Sequence, residues 1–305
     1  IELNNKINQE LEAMAKTIYD YWFVQFDFPD SNGKPYKSSG GKMVYNEVLK
    51  REIPEGWEAD NILNKVNWIS SSQPPKSTFN YKYEEGYIRF IQNRDYTDNA
   101  NITYIKNDKN NKVCDEYDIM IDKYGDAGRV RFGLAGAFNV ALAKIEVYIK
   151  NGQEYIRKVL ESDYIYKYLY NACIASTRAS LNSTILNNIN ICIPPDQILS
   201  KFERITKNII TKVLKCKQEN QKLAELRDFL LPMLMNGQVS VKEDNKIINF
   251  KTIIEVDKMK KLYLFCKIID MQKGKIFHCA VRKEKLLYLI ETSIEAINSK
   301  NIYNR

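Results

Sequence analysis

The sequence predicts an α/β (mixed α+β) globular domain flanked by two long helices that pair as an antiparallel coiled coil. Two stretches of the 305-residue chain, one at its start and one after residue 196, repeat apolar residues every three or four positions, which is the period of a helix. The stretch between them has short apolar runs separated by turn residues, as strands do. Pro54 and Pro194 stand where this middle stretch begins and ends. A chain that leaves one helix, folds a domain and returns to its starting side would run the second helix antiparallel to the first.

The first helix is predicted over residues 1–28, and its end is rich in aromatic residues. Its apolar positions advance by threes and fours, as in the seam of a coiled coil. The predicted seam consists of Leu3, Ile7, Leu11, Met14, Ile18 and Tyr21. Four aromatic residues follow, which either plug the joint between the helix and the domain or contact a partner protein: Trp22, Phe23, Phe26 and Phe28. Residues 29–52 contain Pro29 and a polar run rich in serine and glycine, which predicts a linker.

The globular domain is predicted over residues 53–196, with Trp57 as a core anchor. Short β-like runs predict strands within residues 86–92, 101–106, 117–122, 129–136, 139–149 and 186–193. An apolar run rich in tyrosine predicts one helix within residues 162–175. This mixture of strands and a helix is typical of an α+β domain.

The second long helix is predicted over residues 197–236, followed by a small C-terminal extension. Asn220 and Arg227 interrupt its apolar stripe, as polar seam residues do where register is specified, and Pro232 and Gly237 are expected to end the helix. Residues 243–305 form an extension of unknown role, in which residues 283–297 are expected to form an amphipathic helix.

Charge and composition exclude several functions. The net charge of +8 is not carried by the middle of the chain, because residues 45–196 hold 19 Lys and Arg against 20 Asp and Glu. Overall basicity is therefore weak evidence for nucleic-acid binding. Six cysteines without a CxxC pair, and a single histidine, predict no metal site and fit the reducing cytoplasm. No apolar run approaches the ~20 residues of a membrane span, and no cofactor is predicted.

Catalytic motifs are missing from the sequence. An amino-methyltransferase needs an Asp/Asn-Pro-Pro-aromatic motif, but "SQPPK" and "IPPDQ" have neither flank, and no P-loop is present. The "GDAG" stretch is interpreted as a tight turn that needs a positive φ at Gly125 or Gly128. Carboxylates at 115–122 lack the lysine pattern of a nuclease. No catalytic residue is predicted.

DNA recognition needs side chains that donate to base edges and to phosphates. Three stretches of the domain offer them: residues 72–97, 123–131 and 176–182. Arg94 and Arg178 are the first choices for guanine, and Gln92 and Asn93 have the amide geometry for adenine. The complete set of candidate DNA-binding residues is Lys76, Lys82, Gln92, Asn93, Arg94, Lys123, Tyr124, Arg129, Arg131, Arg178 and Asn182.

Several motifs together resemble the specificity subunit of type I restriction-modification systems. Residues 4–28 are similar to that family's central helix, residues 41–58 to the start of its second recognition domain, and residues 219–239 to its distal helix. "YDIMIDKYGDAGRV" and "STRASLNSTILNNINICIPP" are similar to its strand–turn–strand and final strand. The resemblance covers about residues 1–241 and implies sequence-specific recognition of double-stranded DNA for a separate adenine methyltransferase. It also implies contact of the aromatic cluster with that methyltransferase subunit. A restriction/translocase subunit is implied as a further partner of the chain through the complex.

Only one recognition domain is present where the family has two, which leaves the organisation open. The chain is either a C-terminal half or a half-subunit that pairs with a second specificity half or with another copy of itself. Helical periodicity already runs at residue 1, and the chain has no initiator Met, so it could also be the recognition domain of a longer single-chain methyltransferase or restriction enzyme. A coiled-coil scaffold that does not bind DNA is the remaining alternative.

Overall fold

The computed structural model describes residues 1–97, 101–175 and 180–238, together with three later strands. The chain divides into two compact units, Glu2–Gln218 and a second unit made of Ile1 with Glu219–Arg305. In the second unit, strands β13, β14 and β15 form an antiparallel sheet in the order β13-β15-β14; they span Val241–Glu243, Tyr263–Asp270 and Lys275–Arg282. The helix expected at residues 283–297 lies outside the described residues. Among the described helices, none is long and apolar enough to cross a membrane.

Four α-helices are described. They are α1 (Glu2–Tyr19), α2 (Gln153–Glu161), α3 (Asp163–Ala175) and α4 (Asp196–Met235). Helix α3 lies within the segment expected from the sequence, whereas α2 was not expected. Pro232 lies inside α4 and does not end it, and Gly237 follows the helix with a positive φ of 68°. Five residues of π-helix, Asp20–Val24, continue α1.

Twelve strands are found among the described residues of the first unit. They are β1 (Met43–Asn46), β2 (Arg51–Pro54), β3 (Glu58–Asn61), β4 (Val66–Ser70), β5 (Tyr87–Ile91), β6 (Tyr104–Lys106), β7 (Val113–Cys114), β8 (Ile119–Asp122), β9 (Val130–Arg131), β10 (Gly136–Phe138), β11 (Leu142–Val147) and β12 (Asn190–Ile193). They form two four-stranded sheets, β6-β5-β10-β7 and β4-β11-β8-β9, and two pairs, β1-β2 and β12-β3. Every pairing is antiparallel except β5 with β10.

Strand β8 is buried on both faces, which places it at the centre of the domain. Ile119 and Ile121 belong to the main core with residues of α2, α3 and α4, whereas Met120 packs with Ile91 and Phe138 of the other sheet. The sheet β4-β11-β8-β9 is therefore covered by helices on one face and by the sheet β6-β5-β10-β7 on the other. This explains why "IMID" reads as a continuous run and not as an alternating strand.

The aromatic cluster at the end of the first helix lies in the core. Trp22, Phe23, Phe26 and Phe28 are 3–8% exposed. The Phe23 ring lies 4.8 Å from that of Tyr155 and meets other aromatic rings of the domain and of α4. These four side chains plug the joint between helix and domain. Their surfaces are already covered within this chain, so the expectation that they contact a partner protein is corrected.

Helix α1 packs against the first part of α4 through only part of the seam expected from the sequence, since Leu11 and Ile18 pack against Ala15, Ile209 and Val213. Ala15 is fully buried with Ile209 and Val213, while Leu3 and Met14 are about half exposed. The small alanine lets the helices approach, and the larger apolar residues lie beside this contact. Glu12 of α1 pairs with Lys217 at 3.8 Å, and Phe23 meets Phe202 at 4.9 Å between ring centroids. Residue numbers thus rise along α1 as they fall along α4, which is an antiparallel arrangement.

Residues 29–52, expected to be a linker, fold against the domain. Tyr36 stacks on Phe28 with 4.7 Å between ring centroids, and the Ser38 hydroxyl donates to the Asp27 carboxylate at 2.6 Å. Strands β1 and β2 then form a hairpin. The path from α1 into the domain is therefore held by specific contacts.

Candidate nucleic-acid interface

The three donor-bearing stretches meet at the end of β8. Asn93 Nδ2 donates to Asp122 Oδ1 at 3.0 Å, which joins the first stretch to the second. The backbone N–H of Leu181 donates to the Lys123 carbonyl at 3.1 Å, which joins the second stretch to the third. Segments separated by many residues in sequence therefore converge on one edge of the domain.

Four of the candidate donors make internal hydrogen bonds or are buried, so these contacts already occupy part of their hydrogen-bonding capacity, and their role in DNA contact stays a prediction. Gln92 takes part in a capping box with Asp95 at the short 3-10 helix Asn93–Tyr96. Asn93 Nδ2 is held by Asp122 and by the Ala141 carbonyl. The remaining two are Lys123, which is 9% exposed, and Arg131, which is held by Asp122.

Five of the candidates present exposed side chains, and a sixth is exposed while it also caps a helix. Arg94 has a side chain that is 56% exposed, although its guanidinium also contacts Thr103 Oγ1 at 3.3 Å and Asp95 at 3.5 Å. Asn182 caps the 3-10 helix Ser183–Asn188 through its carbonyl oxygen. The exposed candidates are Lys76, Lys82, Arg94, Tyr124, Arg129 and Asn182. Arg178 lies outside the described residues.

Buried charge organises the base of this edge. Burial raises the pKa of Asp122 to about 6, and the Arg131 guanidinium, whose Nε lies 3.0 Å from Asp122 Oδ2, opposes that rise. Because one carboxylate binds both Asn93 and Arg131, it connects the loop after β5 to the hairpin of β8 and β9. Sequence reasoning did not assign this role to Asp122, since its partners are distant in sequence.

The turn between β8 and β9 rests on α3. Gly125 and Gly128 have φ values of 73° and 88°, which confirms the turn expected for "GDAG". A Cβ added at Gly128 would lie 2.7 Å from Leu169 Cβ of α3, so the backbone approaches that helix too closely for any larger residue. Tyr166 of α3 donates its hydroxyl to Asp126 Oδ1 of the turn at 2.5 Å. The sequence had no signal for Tyr166, because nothing local links it to the turn.

Gly128→Ala is expected to lower the free energy of unfolding by about 1–3 kcal/mol, because it adds a positive-φ penalty to the overlap with Leu169. Urea denaturation followed by circular dichroism measures the change. Gly125→Ala is the matched control, since its φ is also positive but nothing lies within 4 Å of the added Cβ. Equal losses for both variants would show that the contact with α3 contributes nothing.

Within the residues that the structure describes, no three His, Cys, Asp or Glu side chains are grouped so that they could hold a metal ion.

Comparison with known proteins gives a consistent set of relatives. The type I restriction enzyme MjaIX specificity subunit of Methanocaldococcus jannaschii is 26% identical over 257 residues, which cover 80% of this chain and 56% of that protein. The HindI specificity subunit of Haemophilus influenzae is 24% identical over 297 residues, covering 78% and 64%. The chain thus spans less than two thirds of the length of these relatives.

Solved structures give further matches. The HsdS subunit from Thermoanaerobacter tengcongensis is 18% identical with a TM-score of 0.42, over 77% of this chain and 53% of that one. The type I restriction-modification S subunit from M. genitalium is 14% identical with a TM-score of 0.47, over 75% and 53%.

A family model described as "Type I restriction modification DNA specificity domain" matches residues 59–226. This match includes all three donor-bearing stretches and most of α4. Since it spans more than half of the 305 residues, the chain belongs to the family of type I restriction-modification DNA specificity domains.

Proposed function

We propose that this chain recognises a specific double-stranded DNA sequence through the edge at the end of β8. We further propose that it directs a separate adenine methyltransferase to that sequence, as the specificity subunit of a type I restriction-modification system. The observation that supports this most is the convergence of three donor-bearing stretches inside the region matched by the family model. A restriction/translocase subunit would join through the complex, and the chain itself performs no catalysis.

A nearly neutral domain suits this role. Sequence-independent DNA binding grows with the number of phosphates that lysine and arginine neutralise. Residues 45–196 hold 19 basic and 20 acidic residues, so general attraction to DNA is weak and a few aimed donors must supply the affinity. Arg94 has the exposed fork that reads guanine, and Arg178 remains its companion candidate. Lys76, Lys82 and Arg129 are assigned to phosphates, with Tyr124 and Asn182 beside them.

The partner surface is assigned to the exposed apolar side of α1. Leu3, Ile7, Met14 and Tyr21 are 36–54% exposed and follow one another at helical spacing. A helix of the methyltransferase subunit, or the helices of a second specificity half, would cover them. Pairing of α1 with α4 beyond the described contacts, as an extended antiparallel coiled coil, belongs to the same proposal.

Methylome sequencing of the source cells with and without this chain tests the proposed function. We expect methylation of one adenine-containing motif to disappear when the chain is deleted and to return when it is restored. An unchanged methylome would favour the scaffold. Methyl transfer by the purified full-length product of the reading frame would favour a single-chain enzyme.

Arg94→Ala is expected to weaken binding to the cognate duplex by about 1–3 kcal/mol and to relax one base position, because a bidentate arginine–guanine contact is lost. The measurement is a binding series with the methyltransferase partner present, using the cognate site and single-base variants. Arg178→Ala is expected to act in the same way at another position. Lys76→Ala is the control and should weaken all sequences alike. If both arginine variants keep affinity and specificity, the DNA face lies elsewhere.

A further inference from the structure

The Asp126 carboxylate, on the turn between β8 and β9, is surrounded by three donors from two elements. Arg129 Nε lies 3.7 Å away and Arg131 Nη2 lies 3.9 Å away, both from Asp126 Oδ2. From α3, the Tyr166 hydroxyl donates to Asp126 Oδ1 at 2.5 Å. The hydrogen bond to Asp126 also raises the pKa of Tyr166. Two guanidinium groups and one hydroxyl thus face a single carboxylate.

Of the three donors, Arg131 is held in place by contacts that do not involve Asp126. Asp122 fixes Arg131 through Nε and Nη2, both at 3.0 Å. The turn itself is closed by the Gly128 N–H, which donates to the Asp122 carbonyl at 2.9 Å. The Arg131 guanidinium and the turn would therefore stay in place if the Asp126 carboxylate moved away, which leaves the Arg129 guanidinium and the Tyr166 hydroxyl free to bind another anion.

Asp126 is open to solvent, and its contacts with the two arginines are long. Its side chain is 42% exposed, and the arginine distances are those of ion pairs without close hydrogen bonds. A half-exposed ion pair of this kind contributes little to stability, so exchanging the carboxylate for another anion has a small cost. Two arginines and a hydroxyl are also the groups that bind a phosphate.

We propose that Asp126 occupies a phosphate-binding site. A backbone phosphodiester of the target DNA displaces its carboxylate and binds Arg129, Arg131 and Tyr166 in its place. The inference rests on the proposed function. It adds that a carboxylate of the chain itself competes with a DNA phosphate for the same donors. The carboxylate repels DNA that is out of register and yields where a phosphate is delivered to the site, so it favours the correctly aligned duplex. The competing explanation is that Asp126 is only a structural clasp, which means that its hydrogen bond with Tyr166 holds the turn against α3.

The test uses the full 305-residue chain and a fluorescein-labelled duplex of random sequence, titrated at a series of salt concentrations. Asp126→Asn removes the competing charge and keeps an oxygen for the Tyr166 hydroxyl. We expect it to bind about 10-fold more tightly at low salt, with a salt slope steeper by about 0.9 for each additional phosphate contact. Asp108→Asn is the matched control, because Asp108 is exposed and its Oδ1 accepts from the Asn110 N–H, which asparagine can preserve. Its gain should stay below about twofold, since screening limits a distant charge.

A second pair of variants distinguishes a phosphate-binding site from a purely structural clasp. In the Asp126→Asn protein, Tyr166→Phe should cancel a large part of the gain, because it removes one of the phosphate donors. A clasp predicts weaker or unchanged binding for Asp126→Asn and no further effect of Tyr166→Phe. If Asp126→Asn does not fold by circular dichroism, Asp126→Ser replaces it with the same expectation.

The outcomes distinguish this inference from the proposed function. If the Asp126→Asn protein binds DNA only as tightly as the wild type, or more weakly, the proposed displacement is wrong, while the proposed DNA face still stands. If no variant binds either the random duplex or the cognate site found by methylome sequencing, the DNA face and the displacement fail together.

Discussion

Replacing Phe23 by Ala is expected to lower the free energy of unfolding by about 3–5 kcal/mol, which is the usual cost of removing a large buried ring. Phe23 is 3% exposed and lies between three parts of the chain. Its ring meets Tyr155 of α2 at 4.8 Å and Phe202 of α4 at 4.9 Å, and Trp57 at 6.1 Å. The cavity would therefore open where the first helix, the domain and the second helix join, and none of them can close it alone.

Urea denaturation followed by circular dichroism and tryptophan fluorescence measures this change. Trp22 and Trp57, two of the three tryptophans of the chain, lie in the core at this joint, so most of the tryptophan fluorescence comes from it. Tyr21→Ala is the control, because Tyr21 is a neighbour in sequence but is 39% exposed. A loss of less than about 1 kcal/mol for Phe23→Ala, equal to that of Tyr21→Ala, would contradict the packing described for the joint.

Arg157→Met is also expected to lower the free energy of unfolding by about 3–5 kcal/mol, because it leaves a buried carboxylate without its partner. The Arg157 side chain is fully buried and bonds both oxygens of Glu154 at 3.0 Å. Its guanidinium also lies 4.6 Å above the Phe132 ring. Glu203 of α4 accepts from the Glu154 N–H at 2.9 Å, so a second carboxylate lies close to the one left unpaired.

Two further variants show whether the buried charge is the cause. Replacing both members of a buried pair by apolar residues is often nearly neutral, so Arg157→Met with Glu154→Leu should recover much of the loss. Lys167→Met, on the exposed side of α3, should change stability by less than about 0.5 kcal/mol. A double variant as unstable as Arg157→Met alone would indicate that packing, and not the uncompensated charge, dominates. Urea denaturation applies to all three proteins.

Much of the candidate site could be located from the sequence, but not the role of each residue in it. The three stretches were found because arginine, lysine and amide residues lie close together there. The sequence could not predict that the Arg94 side chain is exposed whereas the Arg131 side chain is bonded to Asp122, since both arginines occupy similar polar segments. Asp122 is the residue that holds Arg131. Asp122 also accepts a hydrogen bond from Asn93, 29 residues away in sequence, and no local pattern predicts such a contact.

By itself, the sequence determined those features whose cause is local. Helical period is enough to place α3 and most of α4, and the need for a positive φ is enough to place the glycine turn at residues 125–128. Only the tertiary structure decided which face of α1 is buried. Apolar residues extend around more than one side of that helix, and packing selected small Ala15 in place of Leu3 or Met14 because close approach to Val213 requires a small side chain. It likewise decided that the aromatic rings which follow α1 fill a core, since Phe23 is covered by Tyr155 and Phe202, which lie more than a hundred positions away in sequence.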